Sequence, residues 1–147
     1  VRHRVGLELF ESQDMGMNWE SLGLVSKMVG GNPGCLNRLP DGRVVLTYGC
    51  RVKPYGIRAR ISQTMGKTWG PELRLRTDGG GWDLGYVRSF IRPDGYLQAV
   101  YYYNDAKSPE RYIGSTVWYP GDLNFSLLDR HYQELSRPQQ RDPKRAF

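Results

Sequence analysis

Ser12-Gln13-Asp14-Met15-Gly16-Met17-Asn18-Trp19 returns later in the chain as Ser62-Gln63-Thr64-Met65-Gly66-Lys67-Thr68-Trp69. The copies share Ser, Gln, Met, Gly and Trp at matching positions and lie 50 residues apart. Ser and Asp side chains can hydrogen-bond backbone groups of a turn, and Gly accepts the positive φ that a tight turn requires. Each copy therefore predicts a tight turn between two strands, with the Trp folded back over it. Thr64, which replaces the Asp of the first copy, can make part of these bonds.

A second set of internal matches accompanies the octapeptides. Residues 38–45 match residues 91–98, each around a Pro-Asp-Gly turn, at an offset of 53 residues. Residues 55–62 correspond to residues 111–118, and residues 4–12 resemble an earlier partial copy. Repeats of about 40–50 residues built of short strands are typical of propeller blades. No helical period of apolar residues is evident before residue 120, so an α/β arrangement is disfavoured.

The repeat predicts an all-β chain in the form of an incomplete β-propeller with about two and a half four-stranded blades. Residues 1–31 would form the end of one blade and residues 32–82 a complete blade. Residues 83–119 would form a partial third blade. The polar residues 120–147, with a short amphipathic turn at 125–128, are predicted to be an extension that is partly disordered or packs across a neighbour. Because open blades expose strand edges and apolar faces, a homo-oligomer is expected unless the chain belongs to a longer parent.

The Ser-x-Asp-x-Gly-x-x-Trp pattern at residues 12–19 resembles the Asp-box, or BNR repeat, of the sialidase superfamily. The copy at 62–69 departs from it only where Thr64 replaces Asp. Residues 32–118 are also similar to the later blades of sialidase-family proteins, through the motifs at 39–43, 47–51 and 83–86 among others. The resemblance implies a six-bladed propeller. It also implies that the Asp-box hairpins lie away from the active centre and have a structural role.

The resemblance implies a site for the carboxylate of sialic acid, which the family binds with three arginines from different blades. A planar guanidinium holds a carboxylate through paired, charge-assisted hydrogen bonds. Arg51 and Arg111 occupy the places expected for two of these arginines, and Arg58, Arg60 and Arg88 are further candidates. Each of them could equally be a solvated arginine at a strand end, and Arg58 could form a salt bridge between blades.

The family also uses a Tyr nucleophile activated by a Glu. Tyr86, at the start of a predicted blade, is the best match, and the three tyrosines at 101–103 are alternatives. Trp82 or Asp83 is expected at the rim of the same pocket. The segment 32–35, where the activating Glu would be expected, holds no carboxylate, and the acid/base Asp and the first arginine belong to earlier blades. The chain alone therefore lacks the full catalytic set.

Two functions of different classes follow. The first is a fragment of a sialidase-like glycoside hydrolase that acts on or binds an acidic carbohydrate or glycoconjugate. The second is a non-catalytic propeller module that binds carbohydrate or protein. Neither requires a metal or another cofactor, and the two histidines, His3 and His131, lie far apart along the chain.

Composition limits the other classes of partner. The net charge of +6 favours anionic partners, but the basic residues are scattered, so a mixed solvated surface is preferred over a nucleic-acid site. No apolar run approaches the ~20 residues of a membrane span. The glycine-rich segment 78–83 lacks the Lys-Ser/Thr and the helix of a phosphate-binding loop, which favours a flexible connection between blades.

Cys35 and Cys50 are the only cysteines and flank one predicted hairpin. If Asp41 and Gly42 form a two-residue turn, Cys35 faces Tyr48 and is diagonal to Cys50 at roughly 7–8 Å. That distance is at or beyond the limit for a disulfide, so two free thiols are predicted.

Overall fold

The protein is an all-β chain in the computed structural model, which describes residues 1–3, 6–27 and 33–121. The all-β prediction is confirmed: these ranges hold nine strands and no helix, and so no helix able to span a membrane. The predicted turn at 125–128 lies outside them. The strands are β1 Leu7–Glu11, β2 Glu20–Ser26, β3 Cys35–Arg38, β4 Val44–Cys50, β5 Gly56–Ser62, β6 Leu73–Arg76, β7 Gly85–Ile91, β8 Leu97–Tyr103 and β9 Tyr112–Trp118.

The strands form three antiparallel sheets in chain order. The first sheet pairs β1 with β2, the second runs β3-β4-β5-β6, and the third runs β7-β8-β9. Every strand pairs with its neighbour in sequence, so each sheet is a simple meander whose connections are turns or short loops.

The second sheet is covered on both faces, which explains why β4 and β5 are buried almost throughout. Successive side chains of a strand point to opposite faces of the sheet. When both faces are covered, the strand is buried along its length instead of alternating between apolar and polar residues. Between the first and second sheets lie Leu7, Val25, Leu46 and Tyr48. The core between the second and third sheets contains Leu39, Val45, Ile57, Ala59, Ile61, Leu84, Val87, Leu97, Ala99, Tyr101 and Tyr103.

Both Pro-Asp-Gly segments form three-residue hairpin loops. In the first, Gly42 N–H donates to the Leu39 carbonyl at 3.0 Å, and Leu39 N–H donates to the Arg43 carbonyl at 2.8 Å. Gly42 has φ 91°, the left-handed conformation that follows a type I turn in such loops. The predicted two-residue turn is therefore wrong by one position, and Cys35 pairs with Thr47 rather than Tyr48. Both cysteines are free thiols, as predicted.

The two octapeptides form the same hairpin. The Ser12 Oγ accepts from Gly16 N–H at 2.7 Å, and the Ser62 Oγ accepts from Gly66 N–H at 2.8 Å. Each Trp donates from Nε1 to the Gly carbonyl of its own turn, at 3.0 Å in the first hairpin and 2.9 Å in the second. The hydroxyl of Thr64 accepts from Thr68 N–H at 2.8 Å, so it replaces one of the bonds that a carboxylate would make.

The surroundings of the two hairpins differ. Trp69 packs against the core between the first and second sheets, and Gly66 is buried close to Leu9. Trp19 is 61% exposed, because no described segment lies over the first hairpin as the first sheet lies over the second. The bonds within the hairpin are thus local, whereas the burial of its Trp depends on a neighbouring sheet.

Candidate functional site

Four of the residues predicted for the site meet at one end of the sheets. Arg51 follows β4, Asp83 and Tyr86 stand at the start of β7, and Arg111 precedes β9. In antiparallel meanders the end of one strand lies beside the start of the next, so these positions share an end. The hairpin of Trp69 follows β5 and lies at the opposite end of the second sheet.

The carboxylate of Asp83 is the centre of the group. Its Oδ2 accepts from Arg111 Nε at 2.8 Å and lies 2.6 Å from Arg111 Nη2, a forked contact with one guanidinium. Its Oδ1 accepts from the Tyr102 hydroxyl at 2.8 Å and lies 3.9 Å from Arg51 Nη2. Two arginines from different sheets therefore converge on one carboxylate.

Arg51 is fixed by polar and aromatic neighbours. Its Nη2 donates to the Tyr102 hydroxyl at 2.7 Å, and its Nε donates to the Leu84 carbonyl at 3.2 Å. The guanidinium lies over two rings, with Cζ at 5.4 Å from the centroid of Trp82 and 5.7 Å from that of Tyr86. Such cation–π contacts add to the hydrogen bonds, so the side chain is held in one orientation.

Tyr86 has an unusual backbone conformation at a bulge in β7. Its φ is 49°, next to Gly85 at 115°, and the pairing with β8 shifts register between Gly85 and Arg88. A positive φ in a non-glycine residue costs free energy and is common at functional sites. The bulge leaves the Tyr86 ring exposed beside Arg51, with its centroid 5.8 Å from that of Tyr102.

The hydrogen bonds from Tyr102 and Arg111 hold the pKa of Asp83 below its ordinary value. Burial, followed by the hydrogen bond to Asp83, raises the pKa of Tyr102. Asp83 is therefore an anion and Tyr102 a neutral phenol at neutral pH. With two arginines and one carboxylate the group carries a net positive charge, which suits an anionic ligand.

Arg58 lies away from this group, although the sequence analysis included it among the candidates. Its side chain is 1% exposed and donates to the Ile57, Arg76 and Pro54 carbonyls. Its Nε lies 3.2 Å from Glu72 Oε1. A guanidinium enclosed in this way has no access to a surface ligand, so its position fits a structural role. Both faces of β5 are buried. The alternation of side chains along the strand shows which residues share a face, but it does not show that both faces are covered.

Arg88 is on the exposed face of β7, two residues beyond Tyr86. The hydrogen bond found for it among the described residues runs from Nη1 to the Val87 carbonyl at 3.3 Å. It is therefore accessible to a ligand but is not joined to Arg51, Asp83 or Arg111.

Tyr102 and Asn104 have positioning roles that the sequence analysis did not assign. The Tyr102 hydroxyl joins Arg51 to Asp83, and the Asn104 Nδ2 donates to the Asp83 carbonyl at 2.7 Å. Tyr102 stands between Tyr101 and Tyr103, which alternation places in the core. That alternation is the signal that could have separated Tyr102 from its neighbours.

A tyrosine paired with a glutamate does occur, but inside the protein. The Tyr48 hydroxyl donates to Glu72 Oε2 at 2.7 Å, and Tyr48 is fully buried. Burial and the neighbouring Glu72 raise the pKa of Tyr48, so its phenol stays protonated. Tyr48 is consequently unsuited to act as a nucleophile.

The glycine segment before Asp83 runs along the rim of the site. Gly79 N–H donates to the Tyr55 carbonyl at 3.2 Å and Gly80 N–H to the Asn104 carbonyl at 3.0 Å. No helix follows, because the chain enters β7 directly. Within the described ranges, no group of three or more His, Cys, Asp or Glu side chains is placed to hold a metal ion.

The chain matches no protein-family model and no curated protein. It is similar to a solved crystal structure of a protein of unknown function from Dyadobacter fermentans DSM 18053. The two are 39% identical with a TM-score of 0.59, over 74% of this chain and 29% of that chain. The chain thus spans less than a third of the length of that solved relative.

Proposed function

We propose that the group around Arg51 and Arg111 binds the carboxylate of an acidic sugar of the sialic acid type. The observation that carries this proposal is the convergence of two guanidinium groups, from different sheets, on the carboxylate of Asp83 at 3.9 and 2.6 Å. Arg111 contacts Asp83 directly and Arg51 is joined to it through the Tyr102 hydroxyl, so both guanidinium groups lie beside one point, and guanidinium groups bind carboxylates through charge-assisted hydrogen bonds.

Unused donors support the proposal. Among the described residues, neither Arg51 Nη1 nor Arg111 Nη1 makes a hydrogen bond, while Nε and Nη2 of both are engaged by protein atoms. The engaged nitrogens fix the guanidinium planes, and the remaining ones are left for a ligand. The exposed ring of Tyr86 adds an apolar surface and a hydroxyl next to them.

The described residues favour binding over hydrolysis by this chain alone. Glycoside hydrolysis requires a protonated carboxyl group to donate to the leaving oxygen. Asp83 and Asp105 line the site and Asp78 lies in the segment that leads to it; hydrogen bonds lower the pKa of each of these three carboxyl groups, to about 2 for Asp78. None of them is a proton donor at neutral pH. A sialidase-like activity would need residues outside this set, in a longer parent protein.

The test is isothermal titration calorimetry of the full chain with the methyl α-glycoside of N-acetylneuraminic acid. We expect Arg51→Ala and Arg111→Ala each to weaken binding by at least about tenfold, since each removes a charge-assisted contact. Arg74→Ala is the matched control, because it removes the same charge from an exposed position on β6. A wild-type chain that does not bind the glycoside would refute the proposal.

A fluorogenic sialoside assay separates the two functions. Binding without turnover would support the non-catalytic module. Turnover that is lost in Arg51→Ala would instead support a hydrolase.

We also propose that the three sheets are successive blades of an incomplete, sialidase-like β-propeller, and that the isolated chain self-associates. The support is the repeated stacking of one meander on the next, with a buried core at each junction. The outer face of the third sheet exposes Phe90, Ile113 and Val117. This apolar face is suited to cover by a further sheet, which a second copy of the chain could supply.

A further inference from the structure

Arg76, the last residue of β6, is the centre of a second polar network at the same end of the sheets. Its Nε donates to Asp78 Oδ1 at 2.9 Å and its Nη2 donates to Asp78 Oδ2 at 2.6 Å, a fork on one carboxylate. Its Nη2 also lies 3.5 Å from Asp105 Oδ2. Nη1 and Nη2 both donate to the Tyr112 hydroxyl at 3.3 Å. One planar guanidinium thus joins three residues, which a point charge could not do.

A buried ring holds the Arg76 side chain in place. Its Cζ lies 3.9 Å from the centroid of Tyr103, which is fully buried. The Tyr103 hydroxyl donates to Asp78 Oδ1 at 3.1 Å, so the ring also fixes the main partner of the guanidinium. The Arg76 side chain is 22% exposed. A cation stacked on a ring and largely shielded from water interacts more strongly than an exposed one, so Arg76 is held in one orientation.

Asp105 organises the loop 104–111, which connects β8 to β9. Its Oδ1 accepts from the N–H groups of Lys107 and Ser108, both at 2.9 Å. Its Oδ2 accepts from the Tyr112 hydroxyl at 2.5 Å. This last bond, with those from the loop backbone, holds the pKa of Asp105 below its ordinary value. The carboxylate therefore stays charged at neutral pH and ties the loop to the start of β9.

The loop meets the candidate site at Arg111. This residue directly precedes Tyr112, and its guanidinium contacts Asp83. Arg76 belongs to the second sheet, as does the strand that leads to Arg51, whereas Arg111 and Tyr112 belong to the third. The bond from Arg76 to Tyr112 therefore joins the loop to the sheet that supplies the other arginine of the site. The position of Arg111 relative to Arg51 depends on that bond.

We infer that Arg76 is a positioning residue for the carboxylate site, because it joins the loop 104–111 to the second sheet and so keeps Arg111 on Asp83. Its importance for sugar binding rests on the function proposed above, whereas the contact between Arg111 and Asp83 exists without a ligand. Arg76 acts through its neighbours, since each of its guanidinium nitrogens donates to a protein atom. A lysine would keep the charge, but its single ammonium group cannot form the fork on Asp78 and also reach the Tyr112 hydroxyl.

The test therefore uses Arg76→Lys, which changes the geometry and leaves the net charge unaltered. Arg43→Lys is the matched control. Arg43 forms a similar fork with Asp41, with Nε at 2.7 Å and Nη2 at 2.6 Å from Oδ2. Its side chain is 18% exposed, close to the 22% of Arg76. It precedes β4, at the opposite end of the second sheet from the site.

The first measurement is the pKa of Asp83, followed by carbon-13 NMR of its carboxyl group in the full chain without ligand. The charged or titratable groups that face Asp83 are Arg51, Tyr102 and Arg111. In Arg76→Lys we expect this pKa to rise, because Arg111 no longer stabilises the anion. In Arg43→Lys it should equal the wild-type value. A general loss of stability would not shift the pKa of one carboxyl group in a folded chain.

The second measurement is calorimetry of the same variants with the methyl α-glycoside of N-acetylneuraminic acid. Arg76→Lys should bind at least about fivefold more weakly than the wild type, and Arg43→Lys should bind equally well. Tyr112→Phe removes the hydroxyl that receives the bonds from Arg76, so it should change both quantities in the same direction. This variant decides the question if circular dichroism shows Arg76→Lys to be unfolded.

An unchanged pKa of Asp83 in folded Arg76→Lys would overturn the positioning role and leave the carboxylate site intact. Equal changes in Arg76→Lys and Arg43→Lys would also overturn it, because the effect would then not depend on the loop. If the pKa rises as expected but the wild type does not bind the glycoside, the positioning of Arg111 is supported and the proposed function is refuted.

Discussion

Ile57 and Ile113 occupy equivalent positions of the repeat, yet Ile57 is fully buried and Ile113 is 75% exposed. The third sheet covers the face of the second sheet that carries Ile57, and no described segment covers the face that carries Ile113. The same apolar position is thus an interior residue in one sheet and a surface residue in the next.

The first prediction is that the face around Ile113 mediates self-association. We expect the wild type to sediment as an oligomer at micromolar concentrations, because exposed apolar faces of this kind favour contact with another copy. Ile113→Lys should sediment as a monomer, since a charge in the contact would have to be desolvated. Met17→Lys introduces the same charge in place of an exposed apolar side chain of the first hairpin, and this variant should remain oligomeric. A wild-type chain that is a well-folded monomer would contradict the prediction.

The second prediction concerns stability at concentrations low enough to keep the chain monomeric. Ile57→Ala should lower the free energy of unfolding by about 2–5 kcal/mol, because it opens a cavity in the core. Ile113→Ala should change it by less than about 0.5 kcal/mol. Urea denaturation followed by tryptophan fluorescence measures both. Similar losses for the two variants would show that Ile113 is buried within the monomer.

Local chemistry made much of the fold predictable. The octapeptides fold alike because Ser12 and Ser62 bond within their own turns, so no distant contact is needed. The register of Cys35 was missed by one residue because Pro-Asp-Gly is compatible with a two- or a three-residue loop. The longer loop follows from the left-handed conformation of Gly42.

The candidate site was predictable in part for a topological reason. Motifs at strand ends share an end of a meander, so Arg51, Asp83 and Arg111 could be grouped before their contacts were known. The absence of Arg58 from the site could not be predicted, because the burial of its side chain depends on which sheets cover β5. The alternation of β8 separates Tyr102 from its neighbours Tyr101 and Tyr103, but the contacts of Tyr102 with Arg51 and Asp83 depend on how the sheets are arranged.

The third prediction is that Asp83 competes with an anionic ligand for the two arginines. Asp83→Asn keeps the shape of the side chain and removes its charge, so Arg51 and Arg111 become more available. We expect the affinity for N-acetylneuraminic acid methyl glycoside to rise several-fold in calorimetry. A fall in affinity would mean that Asp83 contacts the ligand directly or positions the arginines for it. Asp94→Asn, in the exposed turn after β7, is the control for the change in net charge.

The fourth prediction is the pH dependence of the same contact. The folded-state pKa of Asp83 is lowered from 3.8, so the ionised form is favoured by folding. Its contribution to stability is then fully present above the unfolded-state pKa and is lost as the pH falls through the folded-state value. Thermal unfolding of the wild type and Asp83→Asn between pH 7 and pH 2 should show a constant difference at the upper end, and this difference should shrink below about pH 4. A difference that does not change with pH would show that the charge of Asp83 is not involved.

The fifth prediction uses the contrast in burial between the two octapeptide hairpins. Ser62 is fully buried, and its Oγ accepts from the N–H of buried Gly66, whereas the equivalent bond from Gly16 N–H to the Ser12 Oγ is exposed. Removal of a hydroxyl that satisfies a buried N–H costs about 1–3 kcal/mol, while water replaces the lost partner at an exposed N–H. Ser62→Ala should therefore lower the free energy of unfolding by at least about 1 kcal/mol more than Ser12→Ala. Urea denaturation of the two variants side by side measures the difference. Equal losses would mean that the first hairpin is as well covered in solution as the second, by a partner that its exposed Trp19 contacts.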